Sequence, residues 1–277
     1  MTDTTLYDAA WLAAHYDTYG EREWTRLSKT RADRVSFAVH AHYLREFVRP
    51  GCRVLEIGAG PGRFTQVLAD LGCRVVVGDI SAVQLDLHRR HARELAFEDA
   101  VERRERLDVC DLSSLESGSF DSVVAYGGPL SYVFDRAHDA LQECARVCRS
   151  GGHALASVMS LWGSSHAHLD AVLQIAPAIN ARIIETGDLS PIVWDGARQR
   201  CHLFRSGELR SLVQRSGLRV VAMSASSVLS LHWNDTLAGI DESSEQWHEL
   251  IRLEIEACRQ DGCLDMGTHL IVVATKD

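Results

Sequence analysis

The chain has 277 residues and a formal net charge of −9, long enough to bury a full core as one domain with insertions. The acidic balance argues against a nucleic-acid partner, which needs clustered basic charge. No apolar stretch approaches the ~20 residues of a membrane span, so neither a membrane nor a nucleic acid is expected as partner.

Met1–Ala10 carries Asp3 and Asp8 and lacks the basic start and apolar core of a signal peptide. Leu6–His15 and Arg31–Val48 have apolar residues at helical spacing, and Pro50-Gly51 stops the second helix. The pattern then changes. Arg53–Ile57 reads as a strand, followed by Gly58-Ala-Gly-Pro-Gly62 and a helix to about Leu71. Arg74–Gly78 is a second strand, and Ser81 can cap a helix running to about Ala96. Val101–Leu107 and Ser122–Ala125 read as strands, Ala137–Cys148 as a helix, and His153–Met159 as a strand after Gly151-Gly152. Ser206–Ser216 is a helix, and Leu218–Met223 and His269–Ala274 complete the strands. Alternating strands and helices indicate βαβ units and a parallel sheet. The connections 161–205 and 227–266 are too long for bare loops and are expected to be helical insertions that form a cap over a substrate pocket. The eight cysteines are scattered without a CxxC pair, which fits a reducing cytoplasm better than a disulfide framework.

The glycine loop carries the first chemical signal. Three glycines at a strand-to-helix turn let a ligand approach the main chain, and the helix that follows presents free N–H groups. A dinucleotide fingerprint needs its third glycine at position 63, which is Arg63. The spacing is instead GxGxG, with Glu56 just before the first glycine.

This segment resembles the first motif of class I S-adenosylmethionine-dependent methyltransferases. The resemblance continues in order through Val76-Val-Gly-Asp79-Ile80-Ser81, Leu107-Asp108-Val-Cys-Asp111-Leu112, Ser119–Pro129 and Arg146-Val-Cys-Arg149-Ser-Gly151-Gly152, and it spans roughly 53–160. Ser150 replaces the usual proline of the last motif, and the fourth strand lacks the Asn-Pro-Pro-aromatic signature of enzymes that methylate bases. The resemblance implies a Rossmann-like α/β fold: a seven-stranded, mostly parallel sheet with an antiparallel last strand. It further implies a helical N-terminal lid (1–50), a cofactor-binding core (51–160), and a remainder (161–277) holding the cap insertions and the last two strands.

The resemblance also implies a cofactor, S-adenosylmethionine, and roles toward it. Asp79 would accept hydrogen bonds from the ribose hydroxyls, and Ile80 would pack on the adenine. Asp108 would accept the adenine amino proton in preference to Asp111, with Val109 supplying backbone contacts. Glu56, Gly58 and Gly60 belong to the methionine end, and Tyr126 and Gly127 would lie near the sulfonium. Tyr16 could close that end and Trp24 could line the pocket, although aromatics serve cores more often than sites.

Methyl transfer is an in-line displacement that the protein mainly aligns, and an acceptor hydroxyl or carbon acid also needs a base. Candidate bases are His166, His202 and His232. His166, His168, His232 and Asp235 would make a metal site only if they converge. Glu185, Asp188 and Trp194 are candidate pocket residues, and Arg200 or Arg205 could hold a carboxylate or phosphate. The expected function is methylation of a small metabolite, such as a natural-product intermediate, at O, N or C, with carbon or oxygen favoured. Alternatives are a metal-assisted C-methyltransferase of an enolisable keto acid, a noncatalytic cofactor-binding protein, and an NAD-linked enzyme against which Arg63 counts.

Overall fold

The computed structural model describes residues 6–197 and 199–277; Met1–Thr5, the start of the segment tested for a signal peptide, lie outside them. The strands are β1 (Arg53–Ile57), β2 (Arg74–Asp79), β3 (Val101–Arg106), β4 (Phe120–Ala125), β5 (Cys148–Met159), β6 (Asp188–Leu189), β7 (Cys201–His202), β8 (Arg219–Ala225) and β9 (His269–Thr275). Among the described residues seven of them form one sheet in the order β3-β2-β1-β4-β5-β9-β8. Every pairing from β3 to β5 is parallel. β9, the last strand of the chain, slots antiparallel between β5 and β8. This is the expected Rossmann-like sheet with its reversed last strand.

Two apolar faces explain the layering. Along β1, Leu55 and Ile57 point into one cluster with Leu141, Val147 and Leu209 from the helices Ala137–Val147 and Ser206–Arg215. Val54 points into the other with Val39, Leu44, Phe64 and Cys258 from Arg31–Phe47, Arg63–Asp70 and Glu245–Cys258. Alternate residues of a strand face opposite ways, so central strands covered on both sides must be apolar throughout. β3, at the sheet edge, instead reads Val-Glu-Arg-Arg-Glu-Arg, charge that discourages further strand pairing.

The first helix runs Ala9–Tyr19 rather than from Leu6. Asp8 caps it by accepting the Trp11 N–H at 2.9 Å, and Gly20, at φ 55°, ends it. The insertion 161–205 is only partly helical: Leu161–Ala167, Leu169–Val172 and Pro177–Thr186 are followed by the short β6–β7 ladder. Gly187, at φ 80°, ends the last of these helices and turns the chain into β6. This insertion packs on the N-terminal helix through Leu12, Tyr132, Leu161, Ile183 and Leu203. The insertion 227–266 meets the first through the His166–His232 ring contact and otherwise docks elsewhere. Asn234 accepts the Ala32 N–H at 2.9 Å, and Glu242 pairs with Arg31 and Arg34, so it covers the Arg31–Phe47 helix.

Candidate active site

At the C-terminal end of β1 the chain turns sharply under the control of β2. Gly58 donates its N–H to Gly78 O at 2.8 Å, and Gly60 donates to Asp79 Oδ2 at 2.8 Å. Asp79 Oδ1 accepts the Ser81 N–H at 2.9 Å, so one carboxylate ties the glycine loop to the next helix start. Burial pushes the Asp79 pKa up to about 6, against the two backbone donors that favour its charge. Gly58 has φ 70°, and a Cβ there would meet Pro129 Cγ at 2.5 Å. The loop is thus pressed against a second glycine turn, Gly127-Gly128, at the end of β4.

Glu56 lies beneath the loop rather than in it. It is buried, and Thr65 Oγ1 donates to its Oε2 at 2.5 Å. His88 Nε2 lies 2.8 Å from Thr65 Oγ1, and Arg104 Nε donates to His88 Nδ1 at 3.0 Å. Because the guanidinium can only donate, His88 Nδ1 accepts and Nε2 carries the proton. The chain Arg104–His88–Thr65–Glu56 therefore braces the loop from below.

Above the two glycine turns lies a cavity. It sits where the strand order reverses between β1 and β4, the usual ligand crevice of open α/β sheets. Tyr16, Gly58, Gly60, Asp79, Ile80, Asp108, Val109, Tyr126 and Gly127 all line it; Glu56 does not. Asp108 accepts from Tyr7 Oη at 2.7 Å and from the Cys110 N–H at 2.8 Å, whereas Asp111 is exposed and outside the cavity. Trp24 is also outside it, sandwiched between the Arg63 guanidinium at 3.8 Å and the His91 ring at 4.0 Å.

The roof is the N-terminal segment. Gln84 Nε2 donates to the carbonyls of Tyr16 and Gly20, and Ser81 Oγ donates to Asp17 at 2.5 Å. These bonds bring Tyr7, Leu12, Tyr16, Glu23, Arg26 and Leu27 over the cavity. Sequence reasoning missed Glu23 and Arg26. Their signal was a charged pair at i,i+3 inside an aromatic segment, a pattern equally common on solvated helices.

None of the sequence-selected histidines lines the cavity. His202 is clamped on β7, its Nδ1 2.7 Å from Asp188 and its Nε2 2.8 Å from Glu208. His166 and His232 meet edge to face at 4.7 Å on an exposed surface. Among the described residues no group of three or more His, Cys, Asp or Glu could hold a metal, so His166, His168, His232 and Asp235 do not converge. Glu185 is exposed, Arg200 covers Trp11 at 4.4 Å, Arg205 lies over Trp162 at 6.0 Å, and Trp194 stays outside the cavity.

Two other histidines stand close to it. His40 Nδ1 lies 2.8 Å from Ser36 O. A carbonyl only accepts, so Nδ1 carries the proton and Nε2 the lone pair. Burial pushes the His40 pKa down to about 4, keeping the ring neutral at pH 7. Its ring lies 5.0 Å from Tyr126 and 6.1 Å from His269, and burial also holds His269 well below the usual histidine range. The Tyr126 hydroxyl is buried without a hydrogen-bond partner among the described residues.

Residues 54–152 match the family model described as a methyltransferase domain. The ubiquinone biosynthesis O-methyltransferase of Alkalilimnicola ehrlichii is 32% identical over 110 residues, 40% of this chain and 42% of its own length. The chain therefore spans less than half the length of that curated relative. A chain of the Haloferax volcanii complex between the Trm112 methyltransferase activator and a methyltransferase superposes with TM-score 0.62 at 17% identity, covering 95% of this chain and 96% of that one. Geranyl diphosphate C-methyltransferase from Streptomyces coelicolor, solved with Mg2+, geranyl diphosphate and S-adenosyl-L-homocysteine, superposes with TM-score 0.54 at 15% identity, covering 87% and 78%. At these identities the two structures share the fold.

Proposed function

We propose, from the match of residues 54–152 to a family model described as a methyltransferase domain, that this chain is a class I S-adenosylmethionine-dependent methyltransferase that methylates a small molecule, with oxygen as the favoured acceptor atom. One observation carries the reading: the cavity gathers a buried acid at the end of β2, two glycine turns in contact, and an acid after β3. These are the groups that a nucleoside joined to an amino acid requires.

The residues fit that cofactor. The glycine turns leave room for a ligand against the main chain, and Asp79 has lone pairs left after its two backbone bonds. Asp79 would hold the ribose, Ile80 and Val109 the adenine faces, and Asp108 the adenine amino group. When bound, S-adenosylmethionine supplies a methyl group already activated on a sulfonium. The protein's own work is to align the acceptor, exclude water and receive a proton. Residues 6–50 act in this reading as the lid, since Tyr7, Leu12, Tyr16, Glu23, Arg26 and Leu27 line the cavity from above.

Oxygen is favoured because the curated relative is named for O-methylation. Among the described residues no helix is long and apolar enough to cross a membrane.

Calorimetric titration with S-adenosylhomocysteine tests the cofactor, and labelled methyl transfer to a panel of phenols and other hydroxyl acceptors tests the reaction. Micromolar binding to the wild type is expected. It should weaken by roughly 30-fold or more in Asp79→Ala, which removes charge-assisted hydrogen bonds worth about 1.5–3 kcal/mol each. Absence of binding to a folded wild type would overturn the reading.

A further inference from the structure

Glu23 and Arg26 form an ion pair inside the cavity. Arg26 Nε donates to Glu23 Oε1 at 2.8 Å and to Oε2 at 3.0 Å, and Nη2 lies 2.8 Å from Oε1. Exposed pairs at this spacing contribute little, but this pair is largely covered, with Glu23 14% and Arg26 28% exposed, and both residues line the cavity. Withdrawing two charges from water is costly, so the placement calls for a reason. A Cβ added to Gly60 would meet Glu23 Cγ at 3.4 Å, and one added to Gly127 would meet Arg26 Nη2 at 3.3 Å. Glu23 therefore stands over the first glycine turn and Arg26 over the second.

This inference rests on the proposed function. With adenosine between Asp79 and Asp108, the amino-acid end of the cofactor must lie across these same two turns. That end is a zwitterion, with one ammonium and one carboxylate. We propose that the Glu23–Arg26 pair is the cavity's internal stand-in for this zwitterion and opens to hold it, Arg26 taking the carboxylate and Glu23 the ammonium. The exchange leaves no buried charge unpaired before or after binding, which avoids the large cost of an isolated ion. The guanidinium fork matches a carboxylate as well in the ligand as in Glu23. Tyr16 and Tyr132, edge to face at 5.6 Å, line the cavity beside the pair and limit how far Arg26 can swing. The device selects ligands with a complete amino-acid end over simple adenine nucleosides.

The test uses the full chain and three ligands in calorimetry. They are S-adenosylhomocysteine, its deamino analogue 4-(5′-adenosylthio)butanoate, and 5′-methylthioadenosine, which lacks both charged groups. The wild type should prefer S-adenosylhomocysteine over methylthioadenosine by ~100-fold, as expected for two charge-assisted contacts. In Arg26→Gln that preference should collapse to under ~5-fold while methylthioadenosine binding is unchanged, and Arg26→Lys should restore part of it. In Glu23→Gln the wild type's ~10-fold preference for the zwitterion over the deamino analogue should disappear. Equal wild-type affinity for S-adenosylhomocysteine and methylthioadenosine would overturn the proposal, with no variant needed. So would an Arg26→Gln variant that loses both ligands alike, the sign of a merely structural pair. If neither S-adenosylhomocysteine nor S-adenosylmethionine binds the wild type, the proposed function fails instead.

Discussion

Glu56→Gln should make the protein more stable in mildly alkaline solution. The Glu56 carboxyl is 2% exposed. Burial, opposed by the Thr65 hydroxyl and reinforced by Asp79, pushes its pKa from 4.5 up to about 8. The folded chain then holds this proton more tightly than the unfolded chain does. The stability it contributes is fully present below pH 4.5 and is lost as pH rises through about 8. The shift, 8 − 4.5 = 3.5 units, corresponds to at most about 5 kcal/mol, and about 3 kcal/mol is reasonable once internal relaxation is allowed. Glutamine keeps the shape and an acceptor oxygen for Thr65, but does not titrate. Urea unfolding of both proteins at pH 5, 6.5 and 8 measures the effect. The variant-minus-wild-type difference should rise by about 2–3.5 kcal/mol across that range, because part of the loss has already occurred by pH 5. Taking the difference cancels the buried His40 and His88, whose lowered pKa values change stability in the opposite sense, as pH falls below 6.5. A difference that stays flat with pH would refute the reasoning, because Glu56 would then be ionised throughout.

Gly58→Ala should cost about 2–4 kcal/mol, since it adds a Cβ at φ 70° and 2.5 Å from Pro129 Cγ; thermal unfolding reads the loss, and S-adenosylhomocysteine affinity should fall with it because the two glycine turns are forced apart. His202→Gln should act on stability and leave cofactor affinity within about twofold of wild type. Burial alone would lower the His202 pKa, but the Asp188 and Glu208 carboxylates outweigh it and raise the value to about 9. The stability of this clamp is therefore present below pH 6.5 and lost as pH rises through about 9, on the order of 1–3 kcal/mol, and urea unfolding of the variant should lack that loss.

Much of the core was legible because its signals are local. Val54-Leu-Glu-Ile and Val75-Val-Val could only be strands covered on both faces, and a GxGxG turn between strand and helix admits few ligands. Asp79, Asp108 and Gly127 were named through the family resemblance, and the structure brings all three to one cavity at the strand ends. The histidines were not legible. His166, His202 and His232 were chosen from the presumed cap, yet β7 clamps one and the surface holds the other two. His40 lay in an ordinary amphipathic helix, and His269 opened a strand more than two hundred residues away; only the docking of β9 beside β5 brings His269 near His40.

The sequence by itself determined the parallel core strands and the glycine loop, because hydrophobic period and glycine spacing act within a few residues; the reversed last strand was implied by the family resemblance, and the pairing of β9 between β5 and β8 bears it out. The tertiary structure alone decided that Glu23 and Arg26 face the glycine turns and that the second insertion packs on the Arg31–Phe47 helix. Those outcomes depend on contacts such as Asp17 with Ser81 and Asn234 with Ala32. Such pairs are distant in the chain, and their residue types would read the same on any solvated surface.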